Sequence, residues 1–303
     1  MYYTLIFINF SLRRMKEFFC YYFLKIKGYT MKFNINGKGL TLHFLAVTGS
    51  SVHGLKNSNS DTDLKGVFSW DLSVTNQLVL PNDSLEASNV PEDDWNQFLF
   101  DLKSSLNINF EIEDDITFMD SRKFFLNLRK NELNMLDLVH SNNVIYSSPQ
   151  FNLVIENKAL LYDFNYARSK FIGLSGGALK ERSRALKRLD KEFTEEDNYK
   201  AQKNLARSIH VLYIVLEFIE FKEYSSKLRN NKNLDLIKKI RSFEINEDFV
   251  LKEKDRLINI LDSMDLNYSD QDKIAVIINN LLLSLNLVEV SELINSGESN
   301  GLK

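Results

Sequence analysis

The sequence contains the run TLHFLAVTGS at residues 41–50, followed after a ten-residue spacer by DTDLKGVF at residues 61–68. Residues 41–48 are mostly apolar and predict a short buried segment, either a strand or the end of a helix. Gly49 breaks this segment, and the Ser, Asn, Lys and Gly residues of 51–60 are typical of a loop. Residues 63–68 alternate as a strand does. Gly49 and Ser50 are expected to open a turn into a helix, where exposed backbone N–H groups bind phosphate.

Two carboxylates follow this turn. Asp61 and Asp63 are separated by one residue, so in a strand both point to the same face. Carboxylates this close repel one another unless a cation lies between them, and Mg²⁺ prefers oxygen ligands that it shares with substrate phosphates. A third carboxylate on a neighbouring strand would complete a two-ion site; the candidates are Glu111, Glu113, Asp114 and Asp115. The alternative is that Asp61-Thr62-Asp63 is a turn with capping side chains.

The runs GSSVHGL at 49–55 and SDTDLKGVF at 60–68 resemble the DNA polymerase β superfamily of nucleotidyltransferases. They are most similar to a branch of predicted nucleotidyltransferases linked to RNA repair in bacteria and phages. A second run, DITFMDSRKF at 115–124, resembles the branch's third-acid strand, which leads into a helix. On this alignment Asp115 is the third carboxylate and Glu113 the alternative. Residues 131–138 resemble a further segment of the branch, with Leu133 in place of a proline.

A third match lies on a predicted helix, where the branch tends to carry Lys, His and Arg at positions i, i+4 and i+7. This chain has Lys203, Arg207 and His210, with Arg and His exchanged. The resemblance covers roughly residues 40–220 and implies a bound nucleoside triphosphate, with ATP expected, and two Mg²⁺ ions. It implies metal-binding and catalytic roles for Asp61, Asp63 and Asp115. It implies substrate-binding roles for Gly49, Ser50, Ser60, Lys203, Arg207 and His210.

The expected fold class is α+β, with a nucleotidyltransferase-type mixed β-sheet backed by helices and then an all-helical C-terminal region. The sheet belongs to a core at 31–155, the helical domain spans 156–295, and 296–303 form a disordered tail. Apolar spacing predicts helix over 121–139, whereas 81–97 predict an irregular loop. Residues 1–30 have three interpretations: an upstream start before a true first residue at Met31, which we favour, an interfacial helix, or an additional packed element.

Composition narrows the function classes. The net charge of -3 leaves no global basic field, so nucleic-acid binding would need a local patch. A single cysteine, Cys20, excludes a disulfide framework and a cysteine zinc site, and it fits a cytoplasmic location. The apolar runs near the N-terminus are too short for a membrane span.

We therefore expect a Mg²⁺-dependent nucleotidyltransferase that transfers a nucleoside monophosphate to a hydroxyl acceptor, an RNA end or a protein, and releases pyrophosphate. The rival is a non-catalytic nucleotide- or partner-binding module of the same fold, such as a phage or toxin-system regulator.

Three further features have two interpretations each. His43 is either a satisfied core histidine, which we favour, or a site residue, and His53 either faces phosphate or lies in a surface loop. The basic residues of 180–191 form either a solvated helix face or a phosphate or RNA contact. The glycines at 173–177 suggest a helix break.

Overall fold

The computed structural model describes residues 30–56, 62–71, 74, 82–108, 115–266 and 271–298. Six strands within these ranges form one mixed sheet in the order β1-β2-β3-β5-β4, and β6 pairs with β2. The β3–β5 pair is parallel and the other pairs are antiparallel. The strands are β1 (Met31–Ile35), β2 (Lys38–Thr48), β3 (Asp63–Trp70), β4 (Ser84–Leu85), β5 (Asp115–Asp120) and β6 (Val144–Ser147).

Most of the helices follow the sheet in the chain. The N-terminal part carries a 3₁₀ turn at Gly49–Ser51, and a second 3₁₀ turn spans Lys158–Leu161. The α-helices in the described ranges are α1 (Glu92–Leu106), α2 (Ser121–Arg129), α3 (Leu133–Val139), α4 (Pro149–Asn157), α5 (Phe164–Leu189), α6 (Glu195–Phe221), α7 (Asn231–Arg241), α8 (Glu247–Ser263) and α9 (Gln271–Glu298). The predicted α+β class, with its mixed sheet and a mainly helical C-terminal part, is confirmed.

The two faces of the sheet pack against different helices. Leu64 and Phe68 of β3 lie in a buried cluster with Trp95 and Phe98 of α1. Val67 belongs to the other cluster, which includes the apolar residues of α5 and α6. Because side chains alternate along a strand, Asp63 and Lys65 lie on the same face as Val67, toward the helical part of the chain. One sheet face and the helices thus share a core that spans the predicted 31–155 and 156–295 segments.

Helix α1 begins inside the segment predicted as a loop, so the prediction for residues 92–97 is wrong. Pro91 precedes the helix, and three acidic residues occupy its first turn, where they interact favourably with the helix dipole. Asn107 ends the helix with a left-handed φ of 50°. The polar residues that suggested a loop are the exposed first turn of an amphipathic helix.

Residues 121–139 form two helices rather than one. The Asp120 side chain caps α2 by accepting from the backbone N–H of Arg122 at 2.9 Å. The break lies at residues 130–132, where Asn131 is buried and has a φ of 46°. The Asn131 side chain accepts from the backbone N–H of Asp163 at 3.4 Å, so the break is tied to the start of α5.

The long antiparallel pair α5 and α6 forms the centre of the helical part. The apolar stripe predicted on α6, including Leu205, Ile209 and Leu212, is buried. The expected helix break at residues 173–177 is wrong, because α5 continues through them and packs along α6. Helix α9 extends to Glu298, which is inside the predicted tail, and residues 299–303 lie outside the described ranges. None of the helices in these ranges has the length and apolar character needed to cross a bilayer.

Candidate active site

Three strand ends meet at one corner of the sheet. Asp63 opens β3, and its Cα partners are Thr48 at the end of β2 and Asp115 at the start of β5. Adjacent strands lie about 4.8 Å apart, so the side chains of Asp63 and Asp115 are neighbours on the face toward the helices. Burial and then the negative charge of Asp115 raise the pKa of Asp63, against the opposing effects of Lys65 and Lys203. The corner therefore holds two carboxylates that repel each other.

The turn at Gly49–Ser51 lies directly against Asp63. Gly49 has a φ of 68°, and a Cβ added there would overlap the Asp63 carboxylate. The backbone of Ser50 hydrogen-bonds to the same carboxylate, and the Ser50 carbonyl accepts from Leu55 N–H at 3.0 Å. The expected helix after Gly49 is instead a single 3₁₀ turn, so the predicted helix start is wrong. The sequence predicts that Gly49 lets a phosphate approach the backbone closely. In the structure, the group that approaches Gly49 is the carboxylate of Asp63.

A cavity of about 400 Å³ opens between this corner and the helices. Gly49, Ser50 and Asp63 line one side of it, and Lys203, Arg207 and His210 of α6 line the other. These three α6 residues follow one another at i, i+4 and i+7 and therefore share one helix face. The structure thus brings together six of the nine residues predicted from the resemblance; Asp115 joins them through its pairing with Asp63.

Two predicted site residues lie outside the described ranges, namely Ser60 and Asp61, as does the alternative third acid Glu113. Asp61 therefore remains a prediction from its spacing to Asp63. Among the residues that the structure describes, no three His, Cys, Asp or Glu side chains form a metal-binding group. Asp63 and Asp115 supply two carboxylates, and a third at Asp61 is the one that the sequence motif predicts.

The cavity wall carries cations without acidic partners. Lys203 and Arg207 are exposed on α6, and Arg241 at the end of α7 is partly buried. No carboxylate in the described part of the chain lies within 4.0 Å of these three groups. Arg241 instead donates to the Leu55 carbonyl at 3.0 Å and to the Tyr199 hydroxyl at 2.6 Å. Positive charge that faces a cavity and has no carboxylate within ion-pair distance suits an anionic ligand.

A buried ion pair forms the inner end of the cavity. His53 Nδ1 lies 2.6 Å from the Ser226 carbonyl oxygen, and His53 Nε2 lies 3.1 Å from Asp137 Oδ2. A carbonyl and a carboxylate only accept hydrogen bonds, so both ring nitrogens carry protons and His53 is an imidazolium. The Tyr224 hydroxyl donates to Asp137 Oδ1 at 2.6 Å. The His53 side chain is 13% exposed, and its two N–H groups are already used within the chain.

His210 lies beside this pair but is neutral, whereas His53 is charged. Its ring meets that of His53 edge to face, with centroids 5.1 Å apart. Burial, and then the charge on His53, lower the pKa of His210 to about 3, so the ring is neutral at pH 7. The Nε2 atom of His210 is buried and has no hydrogen-bond partner within the described part of the chain.

The remaining alternatives are resolved by their contacts. His43 is buried in the core, as favoured, with Nε2 at 2.9 Å from the Ser69 hydroxyl, but its Nδ1 has no hydrogen-bond partner in the described part of the chain, so the expected full satisfaction is not met. In the basic segment 180–191, Arg182 binds Glu247 through two contacts of 2.7 Å, and Arg184 and Arg188 also pair with acids. This favours a solvated, ion-paired helix face over a free basic patch.

Sequence reasoning missed three residues that shape the cavity: Asp137, Tyr199 and Arg241. Asp137 lies in the segment that resembles the branch, so its position offered a signal. Tyr199 precedes Lys203 by one helical turn, so the spacing also indicates that it lies on the cavity-lining face of α6. Arg241 has no local motif, because its position depends on how α7 packs across the chain.

Comparisons with known proteins add no assignment to this geometry. A scan against protein-family models and a search of curated proteins both gave no match. The chemistry of the site therefore has to be argued from the residues themselves.

The contact between the turn and Asp63 predicts an unequal effect of two alanine substitutions. Gly37 in the β1–β2 turn also has a positive φ, 72°, but has open space around its Cβ position. We expect Gly37→Ala to cost about 1–2 kcal/mol of backbone strain. Gly49→Ala should cost more in urea unfolding, because the methyl group must also displace the Asp63 carboxylate. Equal costs would show that the close contact is absent.

The His53–Asp137 pair predicts a pH-dependent stability. Against the effect of burial, Asp137 raises the pKa of His53 above its usual 6.5, and His53 lowers that of Asp137 below 3.8. The contribution of His53 is complete below pH 6.5 and is lost as the pH rises through its raised pKa. That of Asp137 is present above pH 3.8 and is lost as the pH falls through its lowered pKa.

Chemical denaturation from pH 5 to 9 measures this loss. The wild type should lose stability on the alkaline side of pH 6.5, and His53→Gln should not show that loss. Asp137→Ala leaves the imidazolium without its partner and should cost about 3–5 kcal/mol at pH 6. A wild-type profile parallel to that of His53→Gln would contradict the assignment of an imidazolium.

Proposed function

We propose that the protein is a Mg²⁺-dependent nucleotidyltransferase that transfers a nucleoside monophosphate from a nucleoside triphosphate, expected to be ATP, to a hydroxyl acceptor. One observation carries the proposal. Asp63 lies at one side of a cavity whose other side carries Lys203 and Arg207, and Asp115 pairs with Asp63 on the neighbouring strand. Such a division of charge suits a metal-bound polyphosphate, which presents cations to the acids and phosphate oxygens to the cations.

The residues present fit a divalent metal. Burial and the charge of Asp115 raise the pKa of Asp63, which is the response expected of two carboxylates with no cation between them. Both side chains supply oxygen ligands, which Mg²⁺ prefers, and Asp61 is the third ligand predicted by the motif. Bound there, two Mg²⁺ ions would neutralise the developing charge and lower the pKa of an attacking hydroxyl.

The protein side of the reaction is mainly positioning. Lys203 and Arg207 would hold phosphate oxygens, and the turn at Gly49–Ser51 would fix the triphosphate against Asp63. Asp115 is exposed, so an acceptor hydroxyl can reach it, and its carboxylate would help to accept the proton of that hydroxyl. The α-phosphorus would then be attacked in line, and pyrophosphate would leave toward the cationic wall. An RNA end and a protein side chain are both compatible with this exposed acid.

Ligand-dependent stability tests the proposal. With Mg²⁺ present, ATP at one hundred times its Kd should raise the free energy of unfolding by about 2.7 kcal/mol, and ATP without Mg²⁺ should do much less. The double variant Asp61→Ala/Asp63→Ala should lose the response. Asp262→Asn, an exposed change on α8, is the matched control and should respond as the wild type does.

The single variant Asp63→Asn separates a metal site from a purely structural acid. It removes a repulsion between neighbouring strands, so without metal it should be more stable than the wild type by roughly 0.2–1 kcal/mol. It should nevertheless lose the response to Mg²⁺ and ATP. A wild type that does not respond to ATP would sink the proposal. A response without pyrophosphate release would favour the non-catalytic binding module.

A further inference from the structure

Arg241 stands outside the sequence motifs, yet it lies at the same cavity as they do. It is the last residue of α7, and its guanidinium is fixed by the Leu55 carbonyl and the Tyr199 hydroxyl. Both partners are neutral, so the positive charge of Arg241 is not cancelled by these contacts. A guanidinium has more N–H groups than the two contacts use, and those that remain match the oxygens of a phosphate.

The hydrogen bonds of the turn give the location of Arg241 relative to the carboxylates. Asp63 is bonded to the backbone of Ser50, the Ser50 carbonyl accepts from Leu55 N–H, and the Leu55 carbonyl accepts from Arg241. The turn thus lies between the carboxylate corner and the guanidinium. Asp63 and Arg241 thus lie on either side of the turn, and both line the cavity.

The α6 face completes this path. Tyr199, Lys203 and Arg207 follow one another at intervals of four residues, so they form one stripe along the cavity. Tyr199 holds Arg241 through its hydroxyl, and its ring lies 6.0 Å from the guanidinium carbon. Lys203, Arg207 and Arg241 therefore line the same cavity.

We propose that Arg241, held in place by Leu55 and Tyr199, binds the terminal phosphate of the nucleoside triphosphate and selects triphosphates over diphosphates. This inference rests on the proposed function, and it assigns a specificity-determining residue that belongs to the helical part of the chain. A nucleoside diphosphate bound at Asp63 ends before it reaches Arg241. The third phosphate of a triphosphate contacts the Arg241 guanidinium, and the preference for triphosphates over diphosphates follows from that added contact.

The test measures the affinities of ADP and of α,β-methylene-ATP, which cannot be cleaved at the reactive bond, by calorimetry in the presence of Mg²⁺. Arg241→Gln removes the charge but keeps N–H donors for Leu55 and Tyr199. We expect it to weaken the triphosphate by about 10- to 100-fold, since a hydrogen bond to a charged group is worth about 1.5–3 kcal/mol. ADP affinity should stay unchanged. Lys239→Gln, an exposed loss of charge on the same helix, is the matched control and should leave both affinities unchanged.

A second variant covers a failure of Arg241→Gln to fold. Arg241→Lys keeps the charge and loses the planar fork, so it should show a smaller loss that is again confined to the triphosphate. A loss shared equally by both nucleotides in either variant would assign Arg241 to the scaffold and overturn the inference, as would an unchanged preference. If the wild type binds neither nucleotide, the proposed function fails and the inference fails with it. If the wild type binds both and only the Arg241 result disagrees, the inference fails alone.

Discussion

The close contact between the Gly49 backbone and the Asp63 carboxylate is the constraint on which the site depends. It joins the end of β2 to the start of β3 at a point where a side chain on residue 49 would leave no room. The register of β3 against β5 then brings Asp115 beside Asp63. Because side chains alternate along a strand, the same register directs both acids to the sheet face covered by the C-terminal helices. It directs Leu64 to the other face, which packs against α1. The positions of the carboxylates thus follow from backbone geometry and strand register.

The helical part supplies the other half of the cavity and is tied to the turn by electrostatics. The His53–Asp137 pair links the segment after Gly49 to α3, and the His53–Ser226 bond links it to the connection between α6 and α7. Removing one partner of a buried ion pair leaves an uncompensated charge, so the pair favours the arrangement in which these elements meet. The sheet and the helices meet around a cavity with Asp63 on one side and Lys203 and Arg207 on the other.

Local patterns predicted the parts of the site that depend on neighbouring residues. The alternation of 63–68 identified β3, and the spacing of Lys203, Arg207 and His210 identified one helix face. Features set by tertiary contacts were not predictable in this way. Asn131 divides a predicted helix because its side chain bonds to Asp163, and Arg241 reaches the cavity only through the packing of α7. The acidic first turn of α1 has the composition of a loop because its polar residues are the exposed start of an amphipathic helix.

The fate of two labels during one incubation tests most directly whether the protein transfers a nucleoside monophosphate. ATP labelled at either the α- or the γ-phosphate is incubated with the protein, Mg²⁺ and cellular RNA and protein, with Asp63→Asn as the control. Nucleotidyl transfer predicts that the α-label enters a macromolecule, that the γ-label appears in pyrophosphate, and that both products vanish in the variant. Sensitivity of the labelled product to nuclease or to protease identifies the acceptor. Transfer of the γ-label instead, or retention of both labels in ATP, would contradict the account.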